Sequence, residues 1–259
     1  LHYIHGEPVV PTDKTPLVLL HQNPSSSLEY SNLVAEMARD RVVIAFDTPG
    51  NGMSDRPPEP QSIDGYAQAF AEGLASLGHG PDGDGPVDVF GFHSGTYYAA
   101  ELAASRPDLV RRLVLCGVPF RTGEERTSRL HDAINAPPLD EDGESTFAQL
   151  RGLWRMVVTG RDPSVPLDRA GAVFAEMVKP MQRATWPYIA VWGYPAAERL
   201  PAIAVPTLVI AVKDTTYPYT ISAAKLIPNA KLVLADDLTY SVFEVGVDRF
   251  ATELRDFLG

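Results

Sequence analysis

The stretch Val87–Ser105, VDVFGFHSGTYYAAELAAS, changes character at its centre. Residues 87–92 form an almost unbroken apolar run, the pattern of a strand buried on both faces. From Ser94 to Ser105 the apolar positions fall at helical spacing instead. Gly91 and Gly95 bracket the junction at His93, and residues without side chains are what a tight strand-to-helix turn requires.

Outward from this unit the alternation repeats. Leu17–Leu20, Val42–Phe46, Leu113–Val118, Thr207–Val212 and Lys231–Ala235 read as further strands, and Leu28–Arg39, Ile63–Leu77 and Val247–Leu258 as helices. Strands and helices in this order predict an α/β fold with a mostly parallel sheet covered on both faces. From about Phe120 to Leu200 the rhythm stops. No run there reads as a strand, while Thr146–Val158 and Asp168–Lys179 have helical spacing. The predicted organisation is a core of residues 1–119 and 201–259 with a helical cap inserted over 120–200. Pro137-Pro138 and Asp140–Glu144 read as turns within the insert.

A chain of 259 residues that is 45% hydrophobic is long enough for one sizeable core. Its net charge of −11, with Arg111-Arg112 as the longest basic cluster, argues against nucleic-acid and anionic-membrane partners. No apolar run approaches the ~20 residues that span a bilayer, and the first residues do not form a signal peptide. Cys116 is the only cysteine, so an internal disulfide is excluded, in keeping with a reducing compartment. The expectation is a soluble cytoplasmic protein whose partner is a small molecule, and a homodimer is compatible with it.

Three short segments carry a resemblance: HQNPSSS (21–27), DTPGNGMSD (47–55) and GFHSG (91–95). In order and spacing they resemble the HGxP loop, the DxPGxGxS loop and the GxSxG nucleophile elbow of the α/β-hydrolase superfamily. HQNPSSS is most similar to the HGNP loop of haloalkane dehalogenases and epoxide hydrolases, whose members carry a helical cap. The resemblance implies that Asn23 and the backbone N–H of Ser94 form an oxyanion hole, with Gln22 in place of the family's glycine. It also places His93, between its two glycines, at the nucleophile position, and Pro107 lies at the family's usual distance from His93. Ser94 as nucleophile would require Phe92 and Thr96 at the glycine positions. The family's acid position falls on Asp214 in VKDTTYP. Its base position falls on Thr239 or Tyr240, and no histidine follows His131.

Imidazole suits proton transfer near neutral pH. The leading reading is therefore acid/base chemistry of the lyase, decarboxylase, isomerase or cyclase type on a small apolar or aromatic carbonyl compound. Alternatives are a hydrolase of ester, lactone or related bonds using His93 or Ser94, and a non-catalytic ligand-binding pseudoenzyme. Tyr240 or Thr239 is expected to hydrogen-bond to the imidazole, with Asp214 behind. Gln22, Asn23, Tyr97, Trp154 and Trp186 are expected to line the substrate pocket, with only one of Tyr97 and Tyr98 facing it. His21 reads as structural and His131 as a surface residue. With neither HxH nor HExxH spacing, and neither GxGxxG nor a P-loop, no metal or cofactor is expected.

Overall fold

The computed structural model describes residues 1–137 and 139–259, and of Gln182 the backbone only; Pro138, read as part of a turn, lies outside them. The strands are β1 (Tyr3–Gly6), β2 (Leu17–Leu20), β3 (Val43–Phe46), β4 (Val87–Phe92), β5 (Val110–Cys116), β6 (Thr207–Lys213) and β7 (Ala230–Thr239). They form one seven-stranded sheet in the order β1-β3-β2-β4-β5-β6-β7. Every neighbouring pair is parallel except β1 with β3. The fold is the mostly parallel α/β architecture that the sequence predicts.

Among the strands, the edge strand β1 is the one that the pattern misses; the helices at Gly123–Ile134, Thr185–Gly193 and Tyr217–Ala224 are not read either. Strand β1 is short and half exposed, so it lacks the apolar run that marks the others. Next to it His2 Nδ1 lies 2.7 Å from Asp47 Oδ2.

Each inner strand sends alternate side chains to opposite faces. Val18 and Leu20 of β2 join one apolar cluster, and Leu17 and Leu19 the other. Burying each such leucine stabilises the fold by about 1.5–3 kcal/mol, and this two-sided coverage is why the runs show no polar alternation. Helices α1 (Ser31–Met37), α2 (Ile63–Ser76) and α3 (Gly95–Ser105) follow β2, β3 and β4. Between β5 and β6 come α4 (Gly123–Ile134), α5 (Glu144–Trp154), α6 (Leu167–Val178), α7 (Thr185–Gly193) and α8 (Ala196–Arg199), with a π-helical turn at Arg155–Thr159 after α5. No strand is found there among the described residues. Glu101 of α3 ties this helical segment to the body, accepting hydrogen bonds from the Arg199 guanidinium and the Tyr194 hydroxyl. Helix α9 (Tyr217–Ala224) joins β6 to β7, and α10 (Val247–Leu258) closes the chain against α1.

Parallel strands deliver their carboxyl ends to one edge, where α/β sheets bind ligands. Here β2, β4, β6 and β7 lead there into Gln22 and Asn23, His93, Asp214 and Tyr240. The crossing of α3 over β2 is close: a Cβ on Gly95 would stand 2.1 Å from the Leu20 carbonyl oxygen. Backbone cannot yield as a side-chain tip does. Gly95→Ala is therefore expected to destabilise the chain by on the order of 3 kcal/mol, read as a fall in the denaturant midpoint. A variant as stable as the parent would show that α3 shifts freely.

Candidate active site

His93 occupies the turn between β4 and α3 with φ of 47°, and it is the only non-glycine residue with positive φ among the described residues. Such a conformation costs a bulky residue of order 1–3 kcal/mol and persists where the surroundings enforce it. The enforcement is visible. Its N–H donates to the Cys116 carbonyl at 2.9 Å, and a Cβ on Gly91 would meet the Gly95 carbonyl at 2.4 Å. Ser94 has ordinary helical angles, so the sharp turn belongs to His93.

The imidazole lies across Gly117, where an added Cβ would come within 2.4 Å of His93 Cδ2. Its Nε2 is 2.7 Å from Asp214 Oδ2. The other carboxylate oxygen of Asp214 accepts from the Thr216 N–H and hydroxyl, at 2.7 and 2.6 Å. Burial alone would raise the Asp214 carboxyl, but the bonds from His93 and Thr216 outweigh it and hold the group below the ordinary carboxylate value. An ionised Asp214 accepts a hydrogen bond from Nε2–H, which leaves the lone pair on Nδ1. Nδ1 has no hydrogen-bond partner among the described residues.

The ring lines a cavity of about 770 Å³ between the sheet edge and the helical segment. Phe92, Met156, Val157, Met177 and Phe243 supply apolar wall, and Gln22, Asn23, Ser94, Asp214, Thr239 and Tyr240 supply polar atoms.

Several sequence expectations need correction. Tyr240 does not bond to His93. Its ring stands edge-on at 5.6 Å, its hydroxyl accepts from Gln22 Nε2 at 2.7 Å, and Asp214 reaches the imidazole directly. Thr239 lines the cavity but likewise makes no bond to the imidazole. Tyr97 turns into the body and packs on Tyr194 at 4.9 Å, because the α3 face that carries it meets the core. Tyr98 is equally buried and receives Asn23 Nδ2 at 2.5 Å. Trp154 is 44% exposed and rests on Phe174 outside the cavity. Trp186 lies in a separate small recess under the Arg183 guanidinium. His131 is exposed, away from the cavity.

Asn23, expected to offer its N–H to an oxyanion, donates it instead to Ser94 Oγ at 2.7 Å, and Nδ2 adds a second bond at 3.0 Å. His21 accepts the Thr48 N–H on Nε2 and is 2.6 Å from the Gln22 carbonyl on Nδ1. Burial lowers its pKa, which fits a neutral, structural ring.

Two contributors escape the sequence reading. Tyr188 of α7 donates to the Asn23 carbonyl at 2.6 Å, joining the helical segment to the site. Glu29 lies buried on the cavity wall, accepting the Gln22 N–H at 3.1 Å and Nε2–H at 3.0 Å. Burial pushes its pKa up to about 7, against the pull of Gln22, Ser25 and Arg169. The proton is thus held more tightly in the folded chain than in the unfolded one. This contribution to stability is complete below about pH 4.5 and is lost as pH rises through about 7. Glu29→Gln is accordingly expected to exceed the parent in stability at pH 8 by on the order of 2–3 kcal/mol and to show no such advantage at pH 4, in paired denaturant melts. Equal gains at both pH values would mean that Glu29 does not titrate in this range.

A seven-stranded sheet with a strained residue at the β4–α3 turn and an aspartate after β6 defines a class, the α/β hydrolase fold. The model of the alpha/beta hydrolase fold family matches residues 15–238, and the chain belongs to that family. A stretch of 154 residues is 27% identical to 2-(acetamidomethylene)succinate hydrolase of Mesorhizobium japonicum, covering 59% of this chain and 51% of that protein. Another, of 101 residues, is 35% identical to proline iminopeptidase of Heyndrickxia coagulans, covering 39% of this chain and 34% of that one. The chain thus spans about half or less of the length of these curated relatives. Among solved structures, MenH from S. aureus superposes with a TM-score of 0.81 at 24% identity, covering 99% of this chain and 97% of its own. The enol-lactonase from Burkholderia xenovorans gives 0.78 at 22% identity, covering 99% and 95%. At these identities the likeness speaks for the fold alone. No helix among the described residues is long and apolar enough to cross a membrane.

Proposed function

We propose that the chain is a small-molecule hydrolase of an ester, lactone or related acyl bond, in which the His93–Asp214 pair is the base. The observation that carries this is the 2.7 Å contact between Nε2 and Asp214, on a ring that lines the cavity and whose Nδ1 has no hydrogen bond among the described residues. His93 stands here where the family carries its serine, and residues 120–200 act as a cap that shields the cavity from bulk water. Ser94 is not the nucleophile in this reading, since it makes no hydrogen bond to His93 and takes its bonds from Asn23.

The steps balance with one water consumed. Water gives a proton to Nδ1 as its oxygen pair forms a bond to the acyl carbon, and the carbonyl π pair moves onto its oxygen. Asp214 stabilises the imidazolium without taking its proton. The oxyanion pair then re-forms the carbonyl, the bond to the leaving oxygen breaks, and that oxygen takes the proton from Nδ1. Acid and alcohol leave, and the base is restored.

The same base suits proton abstraction next to a carbonyl, the chemistry first read from the sequence. Hydrolysis is preferred because the curated relatives that the chain matches include a hydrolase and an iminopeptidase. The cavity's apolar wall favours a largely apolar acyl or alkoxy group. The test is a panel of aryl and alkyl esters and lactones assayed with the parent and His93→Ala. Turnover that depends on His93 is the expected result, and its absence across the panel overturns the reading.

A further inference from the structure

The hydrogen-bond accounts of two hydroxyls in the cavity share an unusual feature. Ser94 Oγ accepts the Asn23 N–H at 2.7 Å and Asn23 Nδ2 at 3.0 Å. The Asn23 amide is itself fixed, because Asn51 Nδ2 donates to its oxygen at 3.2 Å and its own Nδ2 also reaches Tyr98. Tyr240 Oη accepts Gln22 Nε2 at 2.7 Å. Gln22 is fixed too, since the same Nε2 donates to Glu29 Oε2 at 3.0 Å. Both hydroxyls are therefore acceptors of bonds whose direction is set elsewhere. A backbone N–H cannot be reversed, and an amide nitrogen held by a carboxylate presents hydrogens.

Each hydroxyl keeps one proton to donate. No group among the described residues receives it from Ser94 or Tyr240, and both residues line the cavity beside His93. Ser94 directly follows His93 in the chain, and the Tyr240 ring stands at 5.6 Å from the imidazole. Accepting N–H bonds polarises an O–H and makes it a better donor.

Resting on the hydrolytic reading, we infer that the Ser94 and Tyr240 hydroxyls are the donors that stabilise the oxyanion, each polarised by the amide behind it, Asn23 or Gln22. The family-like expectation of a direct Asn23 N–H gives way to a relayed donor, because Ser94 Oγ occupies that N–H. A Gln at position 22, where the family has glycine, then has a purpose. It carries the second relay, from Glu29 to Tyr240.

Such donors act on charge that develops in the transition state, so their loss lowers kcat more than it changes KM. Binding of methyl phenylphosphonate, a tetrahedral monoanion, isolates the donors from turnover. In calorimetric titrations Ser94→Ala and Tyr240→Phe are each expected to weaken this binding about tenfold, with melting temperatures close to the parent. On an ester substrate each is expected to lower kcat about 10–100-fold with KM within about threefold. Ser94→Cys keeps the side chain's size with a weaker donor and serves where Ser94→Ala, which orphans the Asn23 N–H, does not fold. Phosphonate affinity unchanged in both Ser94→Cys and Tyr240→Phe overturns the inference, as does covalent capture of Ser94 by a fluorophosphonate. Ester turnover decides the hydrolytic reading separately: phosphonate affinity lost in the variants, with no ester cleaved by the parent, overturns that reading alone.

Discussion

Replacing His93 with alanine is expected to lower ester turnover by about 10²–10⁴-fold, the usual share of a positioned general base. The sheet should survive the change. The side chain reaches Asp214 at the cavity edge, and the turn is set by Gly91, Gly95 and the bond from its N–H to Cys116. A further variant separates chemistry from strain. Glycine adopts a φ of 47° without penalty, so His93→Gly should lose the same activity while exceeding His93→Ala in stability by on the order of 1 kcal/mol. Measuring kcat/KM and denaturant midpoints on the same three proteins tests both statements. Turnover untouched in either variant would sink the assignment of the base.

Asp214→Asn should be nearly as damaging, for a reason visible in its hydrogen bonds. The Thr216 N–H is an obligate donor and keeps the amide oxygen facing it. The amide nitrogen is thereby turned toward His93 Nε2, which must accept rather than donate. The imidazole proton moves to Nδ1, and the ring presents a hydrogen where the reaction needs a lone pair. Where an aspartate orienting a catalytic histidine is changed to asparagine, the loss reaches about 10⁴-fold, and a loss of 10³–10⁴-fold in kcat is expected here. Nitrogen NMR of labelled histidine should show the tautomer reversed. If the tautomer reverses and turnover persists, Nδ1 is not the base.

The buried strands were legible because burial on two faces leaves an unmistakable mark, as in Leu17–Leu20 and Thr207–Lys213. The edge strand β1 leaves none, being half solvated. The turn at His93 was legible through its glycines, which report backbone clearance whatever residue stands between them. Pocket-facing aromatics were not legible. The orientation of a helix in the segment between β5 and β6 depends on tertiary packing, and large side chains serve a helix interface as well as a ligand. Trp154 and Trp186 show this, since each packs against protein rather than the cavity, as does Tyr97 on α3. Glu29 was hidden for the opposite reason. It sits in a short 3-10 turn, Ser27–Tyr30, and only folding brings it to Gln22. Tyr240 was found by its place in the chain, yet its bond is to Gln22, a pairing across 218 positions that no local pattern encodes.

The contact between Asp214 and His93 also bears on descent. A serine at position 93 would gain no base, because Tyr240 beside it is a phenol held by Gln22, and Asp214 would keep only its bonds from Thr216. A histidine at position 240 alone would lose the Tyr240 hydroxyl that Gln22 holds while facing an imidazole already in place. Each single change leads downhill in stability or activity, so this site and a serine triad occupy separate peaks, joined only by changes made together.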